Sequence, residues 1–325
     1  MRIDAQNHTF PLEYARFFEK HSRYPMVKVD GNDVIIDYNK RFIAKKTWEM
    51  WAPENSIKLM DDNQIDMALL SPGIPCATLL PGDLSIEGAR IVNEELVKIS
   101  AKFPGRFKLI GFLPWNLPSA AIEEAKKLKA EGFIGVMLCS HIGKEDPVDL
   151  PVYRPIYKEL AELGLVIFIH PMPAPWADYT KDYDMNPMMQ FMVWEGFTMM
   201  RLIMSGIMEQ NPKLRVVHPH CGGILPALAG RIWNQTTNMG RGMEFITIPP
   251  LEILKSDQVW YDTVSPDPVS MRFCADFLGG TERLMFATDS PWVNMPILVK
   301  QVQTAFPGPE IENVWSGAAK KLLGI

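Results

Sequence analysis

Short runs rich in Val, Ile and Phe alternate with longer stretches of helical spacing along most of the chain, and that alternation leaves few ways to fold. The runs fall at residues 2–8, 66–71, 107–113, 133–138, 165–170, 215–220, 259–263 and 284–289. Unbroken apolar character over a strand's length is what a parallel strand buried on both faces requires. Residues 87–102, 119–130, 153–163, 197–210, 224–235, 269–278 and 295–305 place apolar residues every three or four positions with charges opposite, the pattern of a helix laid on a sheet. Gly132, Gly164 and Gly279 stand just past three of these segments, where a left-handed cap is wanted.

Eight strands in α/β alternation predict a (β/α)8 TIM-like barrel, which needs only about 250 residues. An open doubly wound sheet would want a glycine-rich turn after the first strand, and His8-Thr-Phe-Pro11 is no such turn. The chain's 325 residues leave a surplus, and it falls in two places. Residues 9–62 contain an Asp30-Gly31 pair between alternating runs over 27–36, which predicts a small β-hairpin inserted after strand one. Residues 171–194 after strand five are crowded with Pro, Met and aromatics, including Trp176, Tyr179, Tyr183, Phe191 and Trp194, and read as a lid-like loop. Both follow a strand's C-terminal end, the face where barrel enzymes place their chemistry. With no repeat, low-complexity tract or linker in view, residues 1–325 read as one domain.

Composition excludes several function classes. The formal charge is −5, from 33 Lys plus Arg against 38 Asp plus Glu, with both signs scattered, so there is no basic stripe for a phosphate backbone. Apolar runs are strand-sized, far short of the roughly 20 residues that cross a bilayer. No leader pattern opens the chain, so a cytoplasmic protein is expected. The nearest two of the four cysteines, Cys221 and Cys274, lie 53 residues apart, which excludes a metal knuckle; Cys76, Cys139, Cys221 and Cys274 are expected to be free thiols. Twenty Met and nine Trp exceed what one barrel's core needs and point to a homodimer or larger homo-oligomer.

Four strand ends finish on acid, base or ligand types: Gln6-Asn7-His8, His170-Pro171, His218-Pro-His220 and Thr288-Asp289-Ser290. Residues two apart in a strand share a face, so Asp4, Gln6 and His8 are expected to point together, as are His218 and His220. Imidazoles and a carboxylate converging from strands one, five, six and eight can hold a divalent ion with an open position. Each piece alone reads more plainly as a satisfied core histidine or, for Asp289, a helix N-cap. Four coincidences at the functional end of one barrel outweigh those readings. His21 and His141 read as loop residues.

These residues resemble a family. Asp4-x-Gln6-x-His8, Phe168-Ile-His170-Pro171, the stretch from Leu202 to His220-Cys-Gly-Gly223, and Phe286-Ala-Thr-Asp289-Ser-Pro291 are similar in order to landmarks of the amidohydrolase-related proteins. The likeness is to the branch containing aminocarboxymuconate semialdehyde decarboxylase and γ-resorcylate-type decarboxylases. It implies one divalent ion, zinc ahead of manganese and no organic cofactor, held by His8, His170 and Asp289 with the residue at position 6, and His220 as acid-base residue beside it. Relatives carry His or Glu at position 6; Gln6 is the departure, a neutral oxygen donor that shifts preference toward harder ions. Strand four ends Leu138-Cys139-Ser140 with no lysine until Lys144, so the bridging lysine of two-metal relatives has no counterpart.

The branch implies non-oxidative decarboxylation of a flat, unsaturated or aromatic carboxylic acid, with proton delivery from Asp289 or a water at the ion and His220 holding or reprotonating its partner. Arg41, Trp194 and Arg201 are candidates for substrate binding. Two rivals stand beside it. One is a metal-dependent hydrolase of an amide, ester or lactone with Asp289 as general base. The other is a degenerate barrel that binds a ligand without turning it over.

Overall fold

The computed structural model describes residues 1–325. Eight parallel strands follow one another round a barrel: β1 (Ile3–Thr9), then, after a small separate sheet of β2 (Met26–Asp30), β3 (Asp33–Asp37) and β4 (Ile43–Thr47), β5 (Met67–Pro72), β6 (Phe107–Phe112), β7 (Gly135–Cys139), β8 (Val166–His170), β9 (Val216–His218), β10 (Val259–Asp262) and β11 (Leu284–Met285). The side-chain period of two sorts each strand's residues between two cores. On β8, Ile167 and Ile169 pack outward with Leu160 and Leu202 of the surrounding helices, whereas Val166 and Phe168 pack inward with Ile110, Met137 and Val217. Each such aliphatic side chain contributes roughly 1.5–3 kcal/mol on burial.

The last strand is the irregular one. Only Leu284 and Met285 join the ladder, because the next amide, Phe286 N–H, donates to Val314. The chain beyond stays extended and closes the barrel against β1 through Ala5 N–H to Phe286 O, Asp289 N–H to Gln6 O and His8 N–H to Ser290 O, each 2.8 Å. Asp4 reinforces the seam: its carboxylate accepts from Thr288 N–H at 2.9 Å and the Thr288 hydroxyl at 2.6 Å. A register shift in β1 between Asp4 and Asn7 turns Asp4 to this task, so it does not share a direction with Gln6 and His8 as simple alternation implied.

Other boundaries also differ from the sequence pattern. The helix expected over 197–210 runs Phe191–Met204 and then breaks at Gly206, whose φ of +80° no helix continues, before a short turn at Ile207–Gln210. Gly164 and Gly279 are left-handed caps as their positions implied. The expected hairpin is the first two strands of the small sheet; β4 adds a third, antiparallel to β3. Asn294, not Asp289, caps the helix Met295–Ala305. Cys76 and Cys139 are paired, which corrects the expectation of free thiols for those two; 63 residues apart in sequence, they meet because β7 and the segment after β5 both end at one rim. Cys221 and Cys274 are free and buried. No helix is long and apolar enough to cross a membrane.

Candidate metal centre and active site

His8 near the end of β1, His170 at the end of β8 and Asp289 just beyond β11 present one ligand atom each within 4.8 Å of one another. Hydrogen bonds set which nitrogen each imidazole offers. His170 Nδ1 lies 2.9 Å from Pro171 O, a carbonyl that only accepts, so Nδ1 carries the proton and Nε2 keeps its lone pair. Ser71 on β5 donates to Asn7 O and so receives His8 Nδ1–H at 2.8 Å, which leaves His8 Nε2 facing Asp289 Oδ1 at 3.0 Å. Burial pushes His170 down to about 3, helped by the charge of His8, so it is a neutral ligand in ordinary buffers. Burial pushes Asp289 upward, yet hydrogen bonds and charge from His220 and His8 outweigh that and hold it well below the usual carboxylate range. It is ionised.

Gln6 sits against the same atoms, its Nε2 3.4 Å from His8 Nε2 and 3.3 Å from Asp289 Oδ1, while its buried Oε1 has no partner. A half-turn of the amide exchanges its two ends and brings Oε1 to the place Nε2 holds beside His8 and Asp289. The donor set fits a divalent cation: two imidazoles, one carboxylate and an orphaned amide oxygen.

Beside the cluster stands His220, in a turn two residues beyond β9. Its Nε2 is 3.9 Å from Asp289 Oδ2 and its Nδ1 is 2.9 Å from Glu195 Oε2. Both His220 and Asp289 have φ of +54°, a conformation that costs a non-glycine residue on the order of 1–3 kcal/mol. The surroundings hold them there. Asp262 at the end of β10 accepts from His220 N–H at 2.8 Å, and Asp289 is bonded to Gln6 O on one side and Trp292 N–H on the other. Burial works against a charge on His220, but Glu195 and Asp289 together raise its pKa well above the usual value, so the imidazole carries a proton. Glu195, wholly buried on the helix Phe191–Met204, was not singled out from sequence. Its signal was faint: an acid in the apolar run Met192-Val-Trp-Glu195-Gly, and a Gly223 where a Cβ would stand 2.9 Å from Glu195 Oε1.

His218 does not share His220's direction, because β9 ends between them; it is a buried histidine beside Tyr261, kept neutral by desolvation to a pKa of about 3. His21 ends the helix Leu12–His21. His141 is buried and accepts from Trp194 Nε1 at 3.2 Å. Trp194 therefore turns away from the cavity, Arg201 pairs with Asp149, and Arg41 pairs with Asp178 at 2.8 Å. Lys144 is exposed in the loop beyond β7.

His170, His220 and Asp289 line a cavity of about 540 Å³. One wall comes from residues 184–192, with Phe191 and Met192, and another from β4 and its approach, with Phe42 and Lys46; Trp292 lines the cavity beside Lys46. An apolar chamber with an acid-base pair and a three-pronged ligand set at one end suits chemistry on a flat organic acid.

The profile of the amidohydrolase family matches residues 3–325. The chain belongs to the amidohydrolase family. A γ-resorcylate decarboxylase of Rhodococcus jostii (strain RHA1) is 30% identical over 261 residues, covering 74% of this chain and 77% of that one. Among solved structures, IDCase of Metarhizium anisopliae superposes with a TM-score of 0.86 at 22% identity, over 100% of this chain and 97% of that one. A dihydroxybenzoic acid decarboxylase of Polaromonas sp. JS666, solved with manganese and the inhibitor 2-nitroresorcinol, gives 0.83 at 19% identity, over 99% and 96%. This amidohydrolase thus shares its barrel with decarboxylases along its whole length.

Proposed function

We propose that this amidohydrolase is a divalent-metal-dependent, non-oxidative decarboxylase of a flat aromatic or unsaturated carboxylic acid. The observation that carries the reading is the meeting of His8, His170 and Asp289 within 4.8 Å, beside a protonated His220, at one end of an aromatic-walled cavity. The Rhodococcus relative, a decarboxylase by name, supports the reaction class.

His8 and His170 would hold the ion through Nε2, Asp289 through its carboxylate and Gln6 through its amide oxygen. Once bound, the ion supplies a positive charge that binds the acid and offsets negative charge developing as CO2 leaves. The chain's own groups do the rest. Phe191, Met192 and Trp292 exclude water and keep the acid flat. His220, anchored at Nδ1 by Glu195, turns Nε2–H toward Asp289 and the cavity. His220 gives its Nε2 proton to the ionised Asp289, which passes it to the substrate carbon as the bond from that carbon to its carboxylate breaks and CO2 leaves, and solvent returns a proton to His220. Two imidazoles and a carboxylate accept zinc or manganese, and the amide oxygen of Gln6 tilts the choice toward manganese, the ion in the Polaromonas structure.

The test is a screen of hydroxybenzoates and muconate-type acids for CO2 release by protein loaded with Mn2+ or Zn2+. Release that disappears on chelation is expected; ester, amide or lactone cleavage without CO2 would establish the hydrolase instead. Homo-oligomeric assembly belongs to the same reading: Phe197, Trp233 and Phe245 are 51%, 49% and 72% exposed, and light scattering at twice the 36.9 kDa chain mass or more is expected.

A further inference from the structure

The charged side chains around the cavity are unevenly satisfied. Arg41 and Arg201 are committed to Asp178 and Asp149, and Lys45 is paired with Asp33 at 2.6 Å. Lys46 has no carboxylate within ion-pair reach. Alternation along β4 turns Ala44 and Lys46 toward the same side, Ala44 buried and Lys46 half-buried, both on the cavity wall. The Lys46 Nζ donates to Pro291 O at 3.1 Å and lies 5.5 Å from the centre of the Trp292 ring. An ammonium has three donors, and one is used by Pro291. Asp184 also lines the cavity but is exposed and unpaired with Lys46.

The opposing charge that acts on Lys46 is that of Asp289, whose two oxygens already face His8 and His220. With Asp289 engaged by the ion, the half-buried ammonium has no counter-charge of its own, which is costly to maintain without a ligand. We propose that Lys46 is the anchor for a second anionic group on the substrate. The acid taken by this site then bears two negative charges on one flat frame, one at the His8, His170 and Asp289 cluster and the other at Lys46 with Trp292 beneath it. The inference rests on the decarboxylase reading for its first contact and adds the second.

Binding of unreactive probes tests it. Benzoate and the three benzenedicarboxylates, whose acid groups differ in separation, are titrated calorimetrically into Mn2+-loaded wild type, Lys46→Met and Lys46→Arg. Wild type is expected to bind at least one dicarboxylate about tenfold or more tighter than benzoate, the value of one charge-assisted contact. Lys46→Met is expected to lose that preference while benzoate affinity stays within about twofold, and Lys46→Arg to keep it. A wild type without preference, or an equal loss for benzoate and dicarboxylates in Lys46→Met, overturns the proposal; the first measurement needs no variant to fold. If no acid yields CO2 and the Lys46-dependent preference persists, the reaction class falls and the anion site stands. If CO2 is released but diacids and monoacids are handled alike, the reverse holds.

Discussion

Gln6 and His170 share the ligand cluster but differ in what their loss removes. Truncating His170 deletes a neutral imidazole whose lone pair is held ready by Pro171, whereas truncating Gln6 deletes a weak amide donor. His170→Ala is expected to lose metal by elemental analysis and activity by about a hundredfold, consistent with a ligand held by an outer partner, and Gln6→Ala to lose less of both. Equal losses would make Gln6 a full ligand. Asp262 offers a pH-dependent test. Burial pushes its carboxyl up to about 7, opposed by the charge of His220, so between about pH 4 and 7 the folded chain keeps a proton that the unfolded chain has released. Stability from this group therefore falls as pH rises through that window. Asp262→Asn retains an oxygen for the His220 and Val264 amides and removes the titration. Relative to wild type it is expected to gain on the order of 2 kcal/mol between pH 4 and 7 in urea unfolding; parallel profiles would show that Asp262 stays ionised.

At the level of strands, the seam between β1 and the chain beyond β11 is where the barrel and the site depend on each other. Three backbone bonds and Asp4 close it, and the same bonds set the spacing between His8 and Asp289. Asp4→Ala leaves Thr288 N–H and its hydroxyl buried without acceptors. A loss of about 3 kcal/mol in urea unfolding is expected, together with weaker metal retention because Asp289 follows Thr288 directly. Unchanged stability would mean that the backbone bonds alone close the barrel. This seam was hard to read from sequence: the run 284–289 looks like one strand, and the diversion of Phe286 N–H to Val314, close to the C-terminus, leaves no local trace. The strands from β5 to β8 were legible, because unbroken Val, Ile and Leu runs have few other uses in a soluble chain.

For the molecule as a whole, a cation that binds only the folded barrel must stabilise it by mass action. At a hundredfold excess over its dissociation constant the gain is about 2.7 kcal/mol, a rise of several degrees in Tm. Mn2+ is expected to raise the Tm of wild type, a chelator to reverse it, and His170→Ala to abolish the response. A wild type indifferent to divalent ions would remove the metal centre from the account. The amino-acid sequence by itself determined the alternation of strand and helix, hence the barrel, and placed His8, His170, His220 and Asp289 at strand ends, because periodicity and chain order are local properties. Only the tertiary structure decided which groups meet there: Glu195 behind His220, Asp262 under its backbone, Lys46 rather than Arg41 or Arg201 on the cavity wall, and Cys76 against Cys139. The reason is physical. Partners drawn from separate strands and helices are chosen by closure of the cylinder and by the directions in which side chains leave it, and neither is written in the spacing of any one segment.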